Sequence, residues 1–193
     1  MEVEVEYIAG TAAHLKPDLM TGVARYRHRV FVENLGWELN THDGMELDQF
    51  DGPDTVYMVA RDDEGQLNGI ARLLPTTRPY LLQEVFPQLM GHHAPPKQAD
   101  VWELSRFAAM DFNEQQTNPL SQFSSPVAVG LLRTVLAYAA QQGVQRLITV
   151  SPLGIERLLR RAGFAAHRAA PPIVLDGRPL FACWIEVQGQ LAS

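Results

Sequence analysis

VWELSRFAAM, residues 101–110, has the composition of a strand, yet it carries Glu103, Ser105 and Arg106 between Trp102 and Phe107. Strand side chains alternate between faces, so Val101, Glu103, Ser105 and Phe107 share one side while Trp102, Leu104 and Arg106 share the other. Both sides are then part polar. A strand with one wet face shows one clean apolar side, and a strand buried on both faces shows almost no charge. Burying Glu103 or Arg106 unpaired is expensive, so each requires a partner.

Outward from that segment the chain mixes strands and helices without strict βαβ regularity. Val3, Val5 and Tyr7 alternate with glutamates as in a first strand. A helix is predicted from Pro17, where proline suits the first turn, up to the stop at Gly36. Residues 37–54 are acidic and rich in turn formers, a loop of a length that is often functional. TVYMVAR and LNGIARLLP flank DDEGQ as a hairpin ended by Pro75 and Pro79, and a short helix is read around YLLQEVFPQL. A strong helix follows, with Ser124 or Ser125 as cap, Pro126 in its first turn and Gly143 at its end. QRLITVS reads as a strand, PLGIERLLRRAGF as a helix, and PPIVLDGRPLFACWIEV as a hairpin turning at Asp176-Gly177. The pattern is an α/β (α+β) mixed sheet covered by helices.

The length of 193 residues fits a single domain, 1–193, and 46% hydrophobic with 20% charged residues is ordinary for a globular protein. No apolar run approaches the ~20 residues needed to span a bilayer, and the acidic start MEVEVEYIAG is unlike a secretory signal. The sole cysteine, Cys183, excludes an internal disulfide, so a cytoplasmic location is expected. The net charge of −6 argues against nucleic acid as a partner. Charge is unevenly spread, however: residues 133–178 hold seven arginines against Glu156 and Asp176. Arg157, Arg160, Arg161 and Arg168 form a local basic surface suited to an acidic partner, or simply a solvated face.

Arg72, inside GIARLLP, poses the same burial problem as Arg106. The acidic loop offers Asp48 and Asp51, and the first helix offers Arg27. A cluster of Arg27, Asp48, Asp51, Arg72, Glu103 and Arg106 would balance its own charges while framing a polar pocket. Two readings stay open: a binding site, or an ion-pair network that only fixes the loop. Other chemistry is poorly supported. His92-His93 lacks further metal ligands at suitable spacing, so no metal is expected. Ser105 has no G-x-S-x-G context, and neither GxGxxG nor a Walker loop occurs.

RHRVF (Arg27, Phe31), LGW (Trp37), ELDQFD (Asp48, Asp51), ARLLPTTRPYLL (Arg72) and VWELSRFA (Glu103, Ser105, Arg106), in this order, resemble the motifs of the acyl-homoserine-lactone synthases, the autoinducer synthases of quorum sensing. The resemblance covers residues 20–165. It implies an N-acetyltransferase-like three-layer α-β-α sandwich with a cleft between splayed strands. It also implies two substrates: S-adenosylmethionine, consumed rather than retained as a cofactor, and a fatty acyl thioester on acyl carrier protein. The amine attacks the thioester to form an amide; lactonisation then expels methylthioadenosine.

On this resemblance Glu103, Ser105 and Arg106 are the expected catalytic residues, with Glu103 accepting the amine's proton directly or through water. Arg27, Phe31, Trp37, Asp48, Asp51, Arg72 and Phe107 are expected to bind S-adenosylmethionine, the aromatics facing its sulfonium and adenine. Phe86, Leu104, Val127, Leu131 and Thr149 are the expected acyl pocket. Arg157, Arg160, Arg161 and Arg168 would dock the acidic carrier protein. The rival readings are an acyl-CoA-dependent N-acyltransferase acting on another amine and a noncatalytic sensor of a small charged ligand.

Overall fold

The computed structural model describes residues 5–112 and 125–188. The chain forms two compact units, each assembled from two stretches of sequence: residues 1–72 with 106–134, and residues 73–105 with 135–193.

In the first unit β1 (Glu6–Thr11) pairs antiparallel with β4 (Val56–Arg61), which neighbours β5 (Leu67–Pro75). β1 begins at Glu6; Val3, read as part of this strand, lies outside the described residues. The DDEGQ hairpin between β4 and β5 forms as its turn residues require, with Gly65 at φ 79°. α1 (Pro17–Arg27) starts on its proline as expected but does not run unchanged to Gly36. From His28 to Asn34 the turns widen into a π-helix, seen in the bond from Leu35 N–H to Val30 C=O at 2.9 Å. Hydrogen-bond register of this kind leaves no trace in side-chain periodicity.

The acidic loop is more ordered than its composition suggests. β2 (Thr41–His42) and β3 (Met45–Glu46) form a small hairpin whose turn, Asp43-Gly44, has φ of 52° and 70°. Val23, Tyr26, Val30, Phe31, Tyr57, Val59, Ile70, Ala108 and Met110 pack as one buried core.

The second unit holds a mixed sheet in the order β6-β7-β10-β8, with β9 also on β10. β6 (Val101–Ala108) enters it with residues 101–105 and pairs parallel with β7 (Arg146–Pro152). β10 (Arg178–Glu186) runs antiparallel to β7, β8 (Ala166–Arg168) and β9 (Ile173–Leu175). The Asp176-Gly177 turn has both φ angles positive, 49° and 74°, as the two-residue hairpin requires. α2 (Leu81–Val85) and a 3₁₀ turn (Pro87–Met90) realise the short helix, and α4 (Ile155–Arg161) follows β7. α3 (Pro126–Gln141) begins where expected, its first turn capped by Ser125 Oγ accepting Ala128 N–H at 3.1 Å.

Candidate active site

Three arginines of the first unit are buried: Arg27 and Arg72 fully, Arg106 almost so. Arg27 closes α1, Arg72 lies on β5 and Arg106 on β6. Three carboxylates from the acidic segment meet them. Glu46 Oε2 accepts from Arg27 Nε at 2.6 Å and Arg106 Nε at 3.1 Å, while its Oε1 accepts from Arg106 Nη2 at 3.0 Å. Asp51 Oδ1 accepts from Arg27 Nη1 at 2.7 Å and Arg72 Nη1 at 3.0 Å. Asp48 Oδ1 accepts from Arg72 Nη1 at 2.6 Å, and its Oδ2 from Arg106 Nη2 at 3.0 Å. The formal charges cancel, which is what allows so many ions to share a dry interior.

The acids keep their charge for a definite reason. Burial by itself would push the Glu46 carboxyl up; hydrogen bonds from Arg106 and Arg27 outweigh it and hold the group below its ordinary range. For Asp51 burial again opposes ionisation, and the nearby charges of Arg27 and Arg72 overturn it. Burial would also lower Arg27, but Asp51 and Glu46 drive its pKa up.

Local backbone order brings the acids into place. In ELDQFD, Phe50 N–H donates to Asp48 Oδ1 at 2.9 Å and Asp48 N–H to Asp51 Oδ2 at 2.7 Å, so each aspartate folds the turn that presents it. Arg106 sits at φ 51°, in the left-handed region that non-glycine residues rarely adopt. The face-by-face alternation read for residues 101–110 is therefore interrupted at Arg106. Holding such a conformation costs on the order of 1–3 kcal/mol, and residues that do so cluster at functional sites.

Beside the ions stands an aromatic pair. Phe31 and Trp37 stack with ring centroids 4.9 Å apart, and the Arg106 guanidinium lies 5.6 Å from the Phe31 ring. Phe31 is buried and Trp37 half-buried, so Trp37 presents the more accessible ring. Of the ionic side chains Asp48 is the most accessible, 16% exposed against 5% for Arg106 and Asp51 and 1% for Glu46.

Glu103 behaves differently from its expected place in this cluster. It belongs to the second unit, fully buried, where its Oε1 accepts Leu82 N–H at 2.7 Å and its Oε2 Leu81 N–H at 3.1 Å, in the first turn of α2. The sequence pointed to a guanidinium partner; backbone donors answer much of the need, because a carboxylate can satisfy the open N–H groups of a helix start. Neighbouring Tyr80 has its pKa raised by burial and further by the Glu103 charge. Ser105 is buried in the second unit, and Phe107 is half-buried in the first.

Among the remaining candidates, Phe86, Leu104 and Thr149 fall in the second unit, with Val127 and Leu131 in the first. Leu104, Leu131 and Thr149 are buried; Phe86 and Val127 are half-buried. Arg157, Arg160, Arg161 and Arg168 are all exposed. Arg160 and Arg168 are partly committed, pairing with Glu156 at 3.4 Å and 2.7 Å. Sequence reasoning missed two members of the buried network: Glu46, and Tyr57, whose hydroxyl donates to Asp51 Oδ1. Alternation was the available signal for Glu46, since residues 46 and 48 of an extended loop point the same way; charge balance hid it, because Glu103 already stands as the third acid against three arginines.

The sequence profile of the family described as Autoinducer synthase matches residues 14–188. An acyl-homoserine-lactone synthase from Acinetobacter nosocomialis is 51% identical over 180 residues, covering 93% of this chain and 98% of that protein. The crystal structure of TofI in a ternary complex with an inhibitor and MTA superposes with TM-score 0.82 at 44% identity, covering 96% of this chain and 93% of that one. The CoA-dependent acyl-homoserine lactone synthase BjaI, solved with SAM and isopentyl-CoA, gives 0.83 at 27% identity, covering 97% and 85%. A Lactobacillus plantarum N-acetyltransferase, 18% identical with TM-score 0.63 over 95% of this chain and 98% of that one, shares the fold. The chain has the N-acetyltransferase-like α/β fold and belongs to the autoinducer synthase family, as an acyltransferase of the acyl-homoserine-lactone synthase kind.

Proposed function

We propose that this enzyme makes an N-acyl-L-homoserine lactone from S-adenosylmethionine and an acyl thioester carried on acyl carrier protein, releasing methylthioadenosine. The observation that carries the substrate assignment is the pairing of Asp48 and Arg106, opposite charges 3.0 Å apart, beside the stacked Phe31 and Trp37. A molecule with an ammonium, a carboxylate, a sulfonium and an adenine matches that set. Asp48 would take the ammonium, Arg106 the carboxylate, and Trp37 the flat cationic part. One Arg27 nitrogen, Nη2, is buried without a hydrogen bond, its nearest Asp48 oxygen 3.9 Å away. A network serving only to brace the loop would be expected to satisfy that donor, which costs about 1–3 kcal/mol unpaired.

For reaction the amine must be neutral, whereas an α-amino group has pKa about 8. Glu103 is the proposed acceptor of its proton, directly or through a water, the α2 N–H groups taking one position on each carboxylate oxygen. The neutral amine then attacks the thioester carbonyl, and the carrier's thiolate leaves with a proton. In the second step the carboxylate displaces the sulfonium from the γ-carbon, closing the lactone. Ser105 and Arg106 follow Glu103 on β6 and are proposed to orient the substrate. The acyl chain would run along apolar residues of neighbouring strands, Leu104 on β6 and the Thr149 region on β7, with Phe86.

Arg157 and Arg161, exposed and in no ion pair among the described residues, suit an acidic carrier protein better than they suit coenzyme A alone. The test supplies the enzyme with S-adenosylmethionine and the same acyl group on acyl carrier protein or on coenzyme A, and measures lactone and methylthioadenosine together. Both products with higher kcat/KM for the carrier protein support the proposal. Preference for the coenzyme A thioester removes the carrier assignment, and acylation without lactone removes the reaction.

A further inference from the structure

We infer that Tyr57 is a positioning residue for S-adenosylmethionine: by completing the hydrogen bonding of Asp51 it fixes the two arginines behind the site and leaves Asp48 as the acid that meets the substrate. The inference rests on the reading of the ionic cluster given above. A carboxylate has about four acceptor positions. Asp51 receives four donors, with Tyr57 Oη, Arg27 Nη1 and Arg72 Nη1 crowded on Oδ1 and Asp48 N–H on Oδ2. Asp48 accepts three bonds, from Phe50 N–H, Arg72 and Arg106, and keeps a position open on its more exposed side chain.

Tyr57 is fully buried on β4, with Val56 and Met58 beside it also buried, so its ring cannot swing out. Burial, and then the Asp51 charge, raise its pKa, so the phenol stays a neutral donor at every working pH. It therefore adds a bond to Asp51 without adding charge to a balanced cluster. Without that hydroxyl Asp51 loses one of the four donors that hold it in place. Asp51 can then turn from Arg27 and Arg72 toward an incoming ammonium, and the geometry that selects Asp48 is lost.

The test is Tyr57→Phe, which keeps the ring and removes only the donor. Calorimetric binding of S-adenosylmethionine is compared with that of methylthioadenosine, which lacks the ammonium and carboxylate, alongside steady-state kinetics. The expected result is a Kd and KM for S-adenosylmethionine raised about ten-fold, the size of one hydrogen bond to a charged group, with methylthioadenosine affinity and kcat within two-fold of wild type. Equal weakening of both ligands, or a lower melting temperature with both affinities unchanged, would show a merely structural hydroxyl and overturn the inference. If the wild-type enzyme binds methylthioadenosine but not S-adenosylmethionine, the substrate assignment itself fails and the inference with it.

Discussion

Glu46 and Arg106 meet along a two-point edge, Nε to Oε2 at 3.1 Å and Nη2 to Oε1 at 3.0 Å, while the same Oε2 also takes Arg27 Nε at 2.6 Å. One carboxylate thus couples the end of α1 to the strained position of β6. Glu46→Gln keeps the shape but leaves two buried guanidinium groups short of an anion. Removing one partner of a buried pair typically costs about 3–5 kcal/mol. Urea unfolding should show a loss of that order, and turnover should fall at least 100-fold even under conditions where the variant is folded. Stability and activity near wild type would mean that Glu46 is incidental.

Glu103 carries two loads, and a single variant separates them. Glu103→Gln has one acceptor oxygen instead of two, so Leu81 or Leu82 N–H loses its partner. The expected outcome is a modest drop in melting temperature with kcat reduced about 100-fold or more, the usual scale of a lost general base. A drop in melting temperature with kcat retained would leave Glu103 as an anchor of α2 only.

Trp37 is the accessible member of its pair with Phe31. Trp37→Ala should raise KM for S-adenosylmethionine about ten-fold, as loss of one cation–π or stacking contact does, while kcat changes little. Trp37→Phe should recover most of the affinity. Kinetics on the two variants decide the matter, and an unchanged KM in both would detach the ring from the substrate.

The pH dependence follows from the depressed acids. Glu46 and Asp51 have folded-state pKa values below their unfolded ones, so their stabilisation is complete above the unfolded values, about 4, and is lost as pH falls through the folded ones. The cluster should therefore stay intact from pH 5 to 8. Any rise of kcat/KM across that window must come from other groups, and the substrate amine, with pKa about 8, is the expected one. Circular-dichroism melts at pH 5 and 7 should agree closely; an unfolding transition near pH 5 would contradict the assignment of charge.

Arg157 and Arg161 supply the docking prediction. The double variant Arg157→Glu, Arg161→Glu should raise KM for acylated carrier protein several-fold, more so at low salt, and leave KM for S-adenosylmethionine unchanged. Arg160 and Arg168, engaged with Glu156, should give smaller effects on reversal.

Much of this is legible in the amino-acid sequence. Asp176-Gly177 between two apolar runs dictates a hairpin, and Pro126 after two serines dictates the start of α3, because both rest on local backbone chemistry; which serine caps the helix, Ser125, shows only in the structure. The charged residues inside β5 and β6 announced a buried ionic cluster because burying Arg72 or Arg106 alone is too costly. What stayed hidden depends on geometry that residue identity does not encode. Tyr57 reads as one more core aromatic until its hydroxyl is seen at Asp51. The left-handed turn at Arg106 and the π-helical stretch carrying Phe31 have no composition signal. Glu103 reads as a partner of the arginines because backbone N–H groups, its partners in α2, are invisible in a list of side chains.

A crystal structure of the wild-type enzyme with S-adenosylmethionine bound is the decisive experiment. The ammonium should lie within hydrogen-bond distance of Asp48, the carboxylate against Arg106, and the adenosyl group beside Trp37, with Asp51 still held by Tyr57. S-adenosylmethionine seated elsewhere, with the cluster of Arg27, Glu46, Asp48, Asp51, Arg72 and Arg106 untouched, would contradict the substrate assignment.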